Sequence, residues 1–275
     1  MFNYIPWILL SVLYSPVVFQ LYQARWEYVD YTHAYFILPV SLFLAWLRRK
    51  RLGEILSSGA APACPPQYLA LLILGIVMYV FGWRKDYLFV STFSLIPLIF
   101  GLCAYLYGSR VALALRFPIL YLVLLVPPPL GVLDAVTLPM RYGVSQAAYL
   151  ILRSVNLPVT REGLMLSIEG QQLFMGPACS GFRSLITSFS LGLAYAYLSK
   201  AQAMKKKILV LSIIPLALLG NLIRVIILCL IAFYFGKEAA MGFLHNASGI
   251  VIFIIVILGL LGIEAFLRGE TRQEQ

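Results

Sequence analysis

The run Ile208–Phe235, ILVLSIIPLALLGNLIRVIILCLIAFYF, holds 28 residues and a single charge, Arg224. A helix needs about 20 mostly apolar residues to cross the hydrocarbon of a bilayer. Seven further apolar runs accompany this one: Tyr4–Leu21, Ala34–Leu47, Tyr68–Trp83, Tyr87–Tyr107, about Val111–Val126, the stretch from Cys179 to Leu198, and Ala247–Leu267. A water-soluble domain cannot bury eight such runs. The 275-residue chain is 61% hydrophobic and 12% charged, against roughly 45–50% apolar and about 25% charged in soluble domains. The expected fold class is therefore an all-α polytopic membrane protein of about eight transmembrane helices, with the lipid bilayer as its solvent. The first run lacks a basic flank and an obvious cleavage site, so it is expected to be a retained helix.

The basic residues set the orientation. The formal charge of +10 would suggest nucleic acid as a partner of a soluble protein. Here Lys and Arg cluster between apolar runs, which makes them topology signals, and no nucleic-acid partner is expected. With the N-terminus inside, twelve basic residues fall in inner loops, among them Arg48-Arg49-Lys50-Arg51 and Lys205-Lys206-Lys207, and seven in outer loops. This excess predicts an N-in, C-in protein.

Two regions are expected. Residues 1–126 form an N-terminal transmembrane region of about five helices, ended by Pro127-Pro128-Pro129. Residues 127–275 carry an outer cap segment and three more helices. Within the cap, RYGVSQAAYLILRSVNLP spaces its apolar residues like an amphipathic interfacial helix. REGLMLSIEGQQLFM looks like two short strands around a turn at Glu169-Gly170, a β-hairpin just before Cys179.

Six residues are candidates for chemistry. Cys179 lies where the outer loop enters the sixth helix, and the positive end of a helix dipole favours the thiolate. Arg183, one turn later, adds a positive charge. The competing reading is a small buried thiol, as most free cysteines are. Arg224 costs at least about 2.5–3.5 kcal/mol to place in a membrane and is a functional hypothesis by default. It lies 17 residues beyond Lys207, roughly 25 Å along a helix in a ~30 Å core, so near the outer face. The competing reading is an arginine that snorkels to the headgroups. Asn221, one turn earlier, either orients Arg224 or bonds to a neighbouring helix. His245 precedes the eighth helix on the outer side, as an acid–base group or as an interfacial histidine with no chemical role. His33, beside Asp30, is also outside, as a substrate-binding or supporting group or as an ordinary loop residue. A thiolate, a group titrating near neutrality and a fixed cation at one level are what acyl transfer through a thioester requires. Cys64, Cys103, Cys179 and Cys229 show no metal-ligand spacing, and neither a metal nor a cofactor is expected.

The segments PACSGFRSL, GNLIRV and FLHNASGIVIF, in this order, resemble the three motifs of the exosortase/archaeosortase family of multi-pass membrane cysteine proteases or transpeptidases. DYTHAYFILPVSLFLAWLRRKR and VPPPLGVLDAVTLPMR are similar to the family's N-terminal Ser-His-Gly region and its proline-containing stretch. Thr32-His33-Ala34 stands where Ser-His-Gly is common. The resemblance implies Cys179 as nucleophile, Arg224 as stabilising cation and His245 as proton donor and acceptor, the bacterial exosortase arrangement. It also implies a site facing outside the cytoplasm, in a plasma (inner) membrane. The implied partners are exported proteins with a C-terminal sorting tail: a short Pro-Glu-Pro-like motif, a transmembrane helix and a basic end.

The alternative is a non-enzymatic membrane transporter or an exopolysaccharide-export assembly partner, with Arg224 as an anion site. Labelling separates the two. A membrane-impermeant thiol reagent is expected to reach Cys179 from outside intact cells. Modification only after the cytoplasm is opened would overturn both the topology and the thiol chemistry.

Overall fold

The computed structural model describes residues 4–23, 34–57, 65–176, 181–199, 202–242 and 254–266, with every side chain among them except those of Leu130, Arg183, Ser184 and Met241. The chain separates into two compact units, Met1–Pro129 and Leu130–Gln275.

In the first unit, α1 (Ile5–Leu21), α2 (Ala34–Leu47) and α4 (Pro66–Arg84) follow the apolar runs, and the basic α3 (Arg49–Ser57) follows α2 directly. The fourth run is α5 (Leu88–Phe93) and α6 (Leu95–Tyr107), and the fifth is α7 (Ser109–Ala114), α8 (Arg116–Tyr121) and the 3₁₀ turn Leu122–Leu125. Both interruptions have one cause. Pro97 and Pro118 are each the third residue of the downstream helix, and proline has no N–H to return to the turn before it. The helix therefore restarts at Leu95 and Arg116.

Association in lipid has no hydrophobic drive, so backbones must come close. A Cβ built on Gly101 of α6 would lie 2.5 Å from the Leu72 backbone nitrogen of α4, and one on Gly75 would lie 2.7 Å from that of Leu98. These glycines let α4 and α6 touch along their backbones. Buried hydroxyls find partners locally: Tyr14 Oη and Ser94 Oγ are 2.6 Å apart, Tyr79 Oη donates to the Leu13 carbonyl, and Ser41 Oγ donates to that of Pro118.

The second unit opens with α9 (Leu130–Ser154), which begins directly after the three prolines. It is longer than the amphipathic segment expected from residue 141 onward. Three short strands follow, β1 (Val159–Glu162), β2 (Met165–Ile168) and β3 (Gln171–Phe174), in an antiparallel sheet ordered β1-β2-β3. The β2–β3 turn at Glu169-Gly170 is where the sequence predicts it, with φ of 50° and 78°, the left-handed pair of a two-residue hairpin. The additional strand is β1. It joins through a second two-residue turn at Gly163-Leu164, with Gly163 at φ 59°. The sequence reading had only two strands because VTRE carries two charged residues and little apolar alternation.

Three helices complete this unit: α10 (Phe182–Leu198), α11 (Ala203–Met241) and α12 (Ile254–Phe266). They pack antiparallel in sequence order. Gly192 of α10 lies against Ile213 of α11, and Gly259 of α12 against Leu216 of α11.

Helix α11 is 39 residues long, interrupted at Gly236 with φ 83°. At 1.5 Å per residue the stretch before that break, Ala203–Phe235, extends about 50 Å, well beyond a ~30 Å hydrocarbon core. Its C-terminal part explains the excess. Val225, Cys229, Ala232 and Ala240 share a core with Val144, Ala148 and Leu152 of α9 and with Val159, Leu166, Ile168 and Leu173 of the sheet. An open sheet with unpaired edges cannot lie in hydrocarbon. From Val225 to Phe233, α11 is therefore apolar because protein covers it, whereas Tyr234 and Phe235 beyond are exposed.

The glycine contacts make a testable distinction. Gly101→Val is expected to cost about 1–3 kcal/mol of stability by overpacking the α4–α6 contact. Gly131→Ala, with nothing within 4 Å of the new Cβ, should be neutral or slightly stabilising. Thermal unfolding in detergent compares the two, and equal effects would contradict the backbone contact.

Candidate functional site at the start of helix α10

Gly181 immediately precedes α10 and holds φ at 72°, a conformation that glycine reaches without a Cβ penalty. Its carbonyl accepts from the Leu185 N–H at 2.8 Å, closing the first turn. Space imposes a second requirement. A Cβ on Gly181 would lie 2.6 Å from Asn221 Cγ and 2.8 Å from Asn221 Cβ and Nδ2. The entry to α10 thus rests on the Asn221 side chain of α11.

Asn221 is fully buried, and Arg224, one turn further along α11, is 8% exposed. Arg224 is followed by Val225, the first α11 residue in the core shared with the sheet. The guanidinium therefore lies inside the protein, at the level where α11 passes from the lower helices to the cap. An arginine reaching out to headgroups would instead bury its aliphatic stem and leave its charged head exposed.

One level below, Leu185 of α10, Ala217 of α11 and Val256 of α12 pack together with Leu216 and Leu260. α12 runs parallel to α10, so both start at the same end of the three-helix cluster. The structure thus brings Gly181, Asn221 and Arg224 to that end, together with the first turns of α10 and α12. Cys179, His245 and His33 lie outside the described residues. Arg183 occupies the first turn of α10, and its side chain is outside the description too. Cys103 and Cys229 are buried, as structural thiols are. Among the described residues no three His, Cys, Asp or Glu side chains are grouped closely enough to hold a metal ion.

Sequence reasoning missed several residues here. Gly181 was legible only as part of a motif, because its contact with Asn221 joins positions 40 residues apart in the chain. Glu264, in α12, is buried and accepts a hydrogen bond from Tyr195 Oη of α10. A carboxylate within an apolar run was a signal that could have found it. Arg141 on α9 is also buried, with Thr137 Oγ1 at 3.4 Å and Asp134 Oδ1 at 4.0 Å. Nothing in the local sequence marks it as an inward-facing arginine.

Eight helices among those described are apolar and at least ten residues long, three of them long enough to cross a bilayer. With a small antiparallel sheet packed on one of them, they define an all-α polytopic membrane protein. Its membership is shown by a family model, transmembrane exosortase (Exosortase_EpsH), which matches residues 26–262. The chain belongs to that family. Comparison with curated proteins and with solved structures finds no match.

The Gly181–Asn221 contact can be tested directly. Gly181→Ala is expected to lose about 1–2 kcal/mol from the left-handed backbone alone, and more from the contact. Adding Asn221→Ala to the same chain should recover the contact part in thermal unfolding. A Gly181→Ala variant as stable as the parent would contradict this packing.

Proposed function

We propose that this protein is a membrane-embedded cysteine protease or transpeptidase that cleaves the C-terminal sorting tails of exported proteins at the extracytoplasmic face of the plasma (inner) membrane. The observation that carries the reading is the seat of Gly181 on Asn221, one turn from the buried Arg224. Two residues of chain reach about 7 Å at most, which supports grouping Cys179 with Asn221 and Arg224. The parallel start of α12 beside α10 supports bringing the motif of His245 to the same end. Family membership supports the exosortase type of activity.

In this mechanism the Cys179 thiolate attacks the carbonyl carbon of the scissile peptide bond. The carbonyl π electrons move to oxygen, and Arg224 stabilises the resulting oxyanion in a site shielded from water. Arginine remains protonated, so it acts as a fixed charge and takes no part in proton transfer. His245 gives a proton to the amine nitrogen as the C–N bond breaks, leaving a thioester on Cys179. Water or an acceptor amine then attacks the thioester, returning its proton to His245. Asn221 positions Arg224, and Arg183 and His33 serve substrate binding. The polypeptide substrate is the partner, and its tail helix lies in the bilayer beside the enzyme.

Cys179→Ala is expected to abolish processing of a co-expressed tailed substrate while the variant still inserts, read by immunoblot of the membrane fraction. Unchanged processing would sink the mechanism. Arg224→Lys keeps the charge and loses the planar fork, with an expected loss of about 10²–10³ in rate, as for removal of one oxyanion donor. Near-parental rates would leave Arg224 a structural residue.

A further inference from the structure

The first unit contains a groove of about 830 Å³. Its walls come from α1, α2, α6 and α8 and include Trp7, Tyr14, Leu38, Ala45, Ile99 and Pro118. It follows α1 from Trp7 to Tyr22, a rise of about 22 Å at 1.5 Å per residue. This exceeds one leaflet, which is half of a ~30 Å core.

The polar groups in its walls are already used. Ser11 and Ser15 donate to carbonyls of their own helix, Ser41 donates to the Pro118 carbonyl, and Tyr14 is bonded to Ser94. The groove thus offers its occupant apolar contact along its length. Alkyl chains fit, since they bring no hydrogen-bonding groups and conform to an irregular channel.

One end of the groove is strongly basic. Ala45 lines it just before Arg48-Arg49-Lys50-Arg51, and Leu115 lines it beside Arg116, with Arg110 in the preceding helix α7. Glu54 is the one carboxylate among the described residues of α2, α3, α7 and α8. The Arg49 guanidinium lies 3.6 Å over the Trp46 ring, and Trp7 Nε1 donates to Tyr107 Oη at 3.0 Å. Tryptophan and tyrosine beside arginine are the furnishing of a headgroup layer. Basic pockets between transmembrane helices recognise anionic headgroups.

We propose that this groove is a specific site for an anionic glycerophospholipid, with its acyl chains between α1, α2, α6 and α8 and its phosphate among Arg49, Arg110 and Arg116. The assignment is independent of the catalytic reading. The lipid would hold together helices that meet only partly through side chains.

The test is native mass spectrometry of the full chain in detergent, titrated with phosphatidylglycerol or phosphatidylcholine of the same acyl composition. One phosphatidylglycerol should be retained with at least about a tenfold preference, since each basic side chain near the headgroup contributes about a factor of five. The triple variant R49Q/R110Q/R116Q changes only exposed positions and should reduce the preference to near parity. Ile99→Trp, which fills the groove, should reduce retention of both lipids. Equal retention of the two lipids by the parent, or an undiminished preference in the triple variant, would overturn the headgroup assignment. Unchanged retention in Ile99→Trp would overturn the placement of the chains.

Discussion

Hydrocarbon offers no hydrogen bonds, and each part of this protein follows from that fact. Every backbone N–H and C=O within the bilayer must be satisfied inside its own segment, so the apolar runs become helices. The same constraint expels the three-stranded sheet, whose edge strands have unpaired groups on one side. The sheet must then be held out of the hydrocarbon, and the C-terminal part of α11, with α9, holds it. The α11 residues from Val225 onward form the core of a small water-facing cap. One long helix thus has two solvents, lipid along its lower part and protein along its upper part.

That division gives Arg224 its setting. It stands beside Leu222 and Val225, where α11 meets the core under the sheet, and is buried in protein. Burial of this kind strengthens electrostatic interactions. A buried guanidinium without neighbours would be destabilising. Here the packing of α10 against α11, through the bare backbone of Gly181 on Asn221, brings a second motif against the turn that carries it.

Much of this was legible in the sequence because lipid imposes long, simple signals. Helix α2 spans Ala34–Leu47, the run read from hydropathy alone. The hairpin turn at Glu169-Gly170 was marked by its glycine, which suits positive φ. Where the reading fell short, hydropathy carried two meanings. The run Ile208–Phe235 looked like one span, yet apolar residues facing lipid and apolar residues under a cap are the same residues. Likewise Val111–Val126 read as one helix, and a single proline at position 118 divides it. Strand β1 was missed because its partner β2, not its own composition, makes it a strand.

The sequence by itself determined the solvent, the helical class, the approximate spans and the residue types from which a site could be made. These depend on local composition and on transfer free energies summed over about 20 residues. Tertiary structure alone decided that Arg224 is buried, that Gly181 rests on Asn221, that Tyr195 meets Glu264, and that a groove lies among α1, α2, α6 and α8. Each of these joins residues tens of positions apart or depends on neighbours supplied by another element. Such contacts arise from close packing of shapes, which no local window of sequence contains.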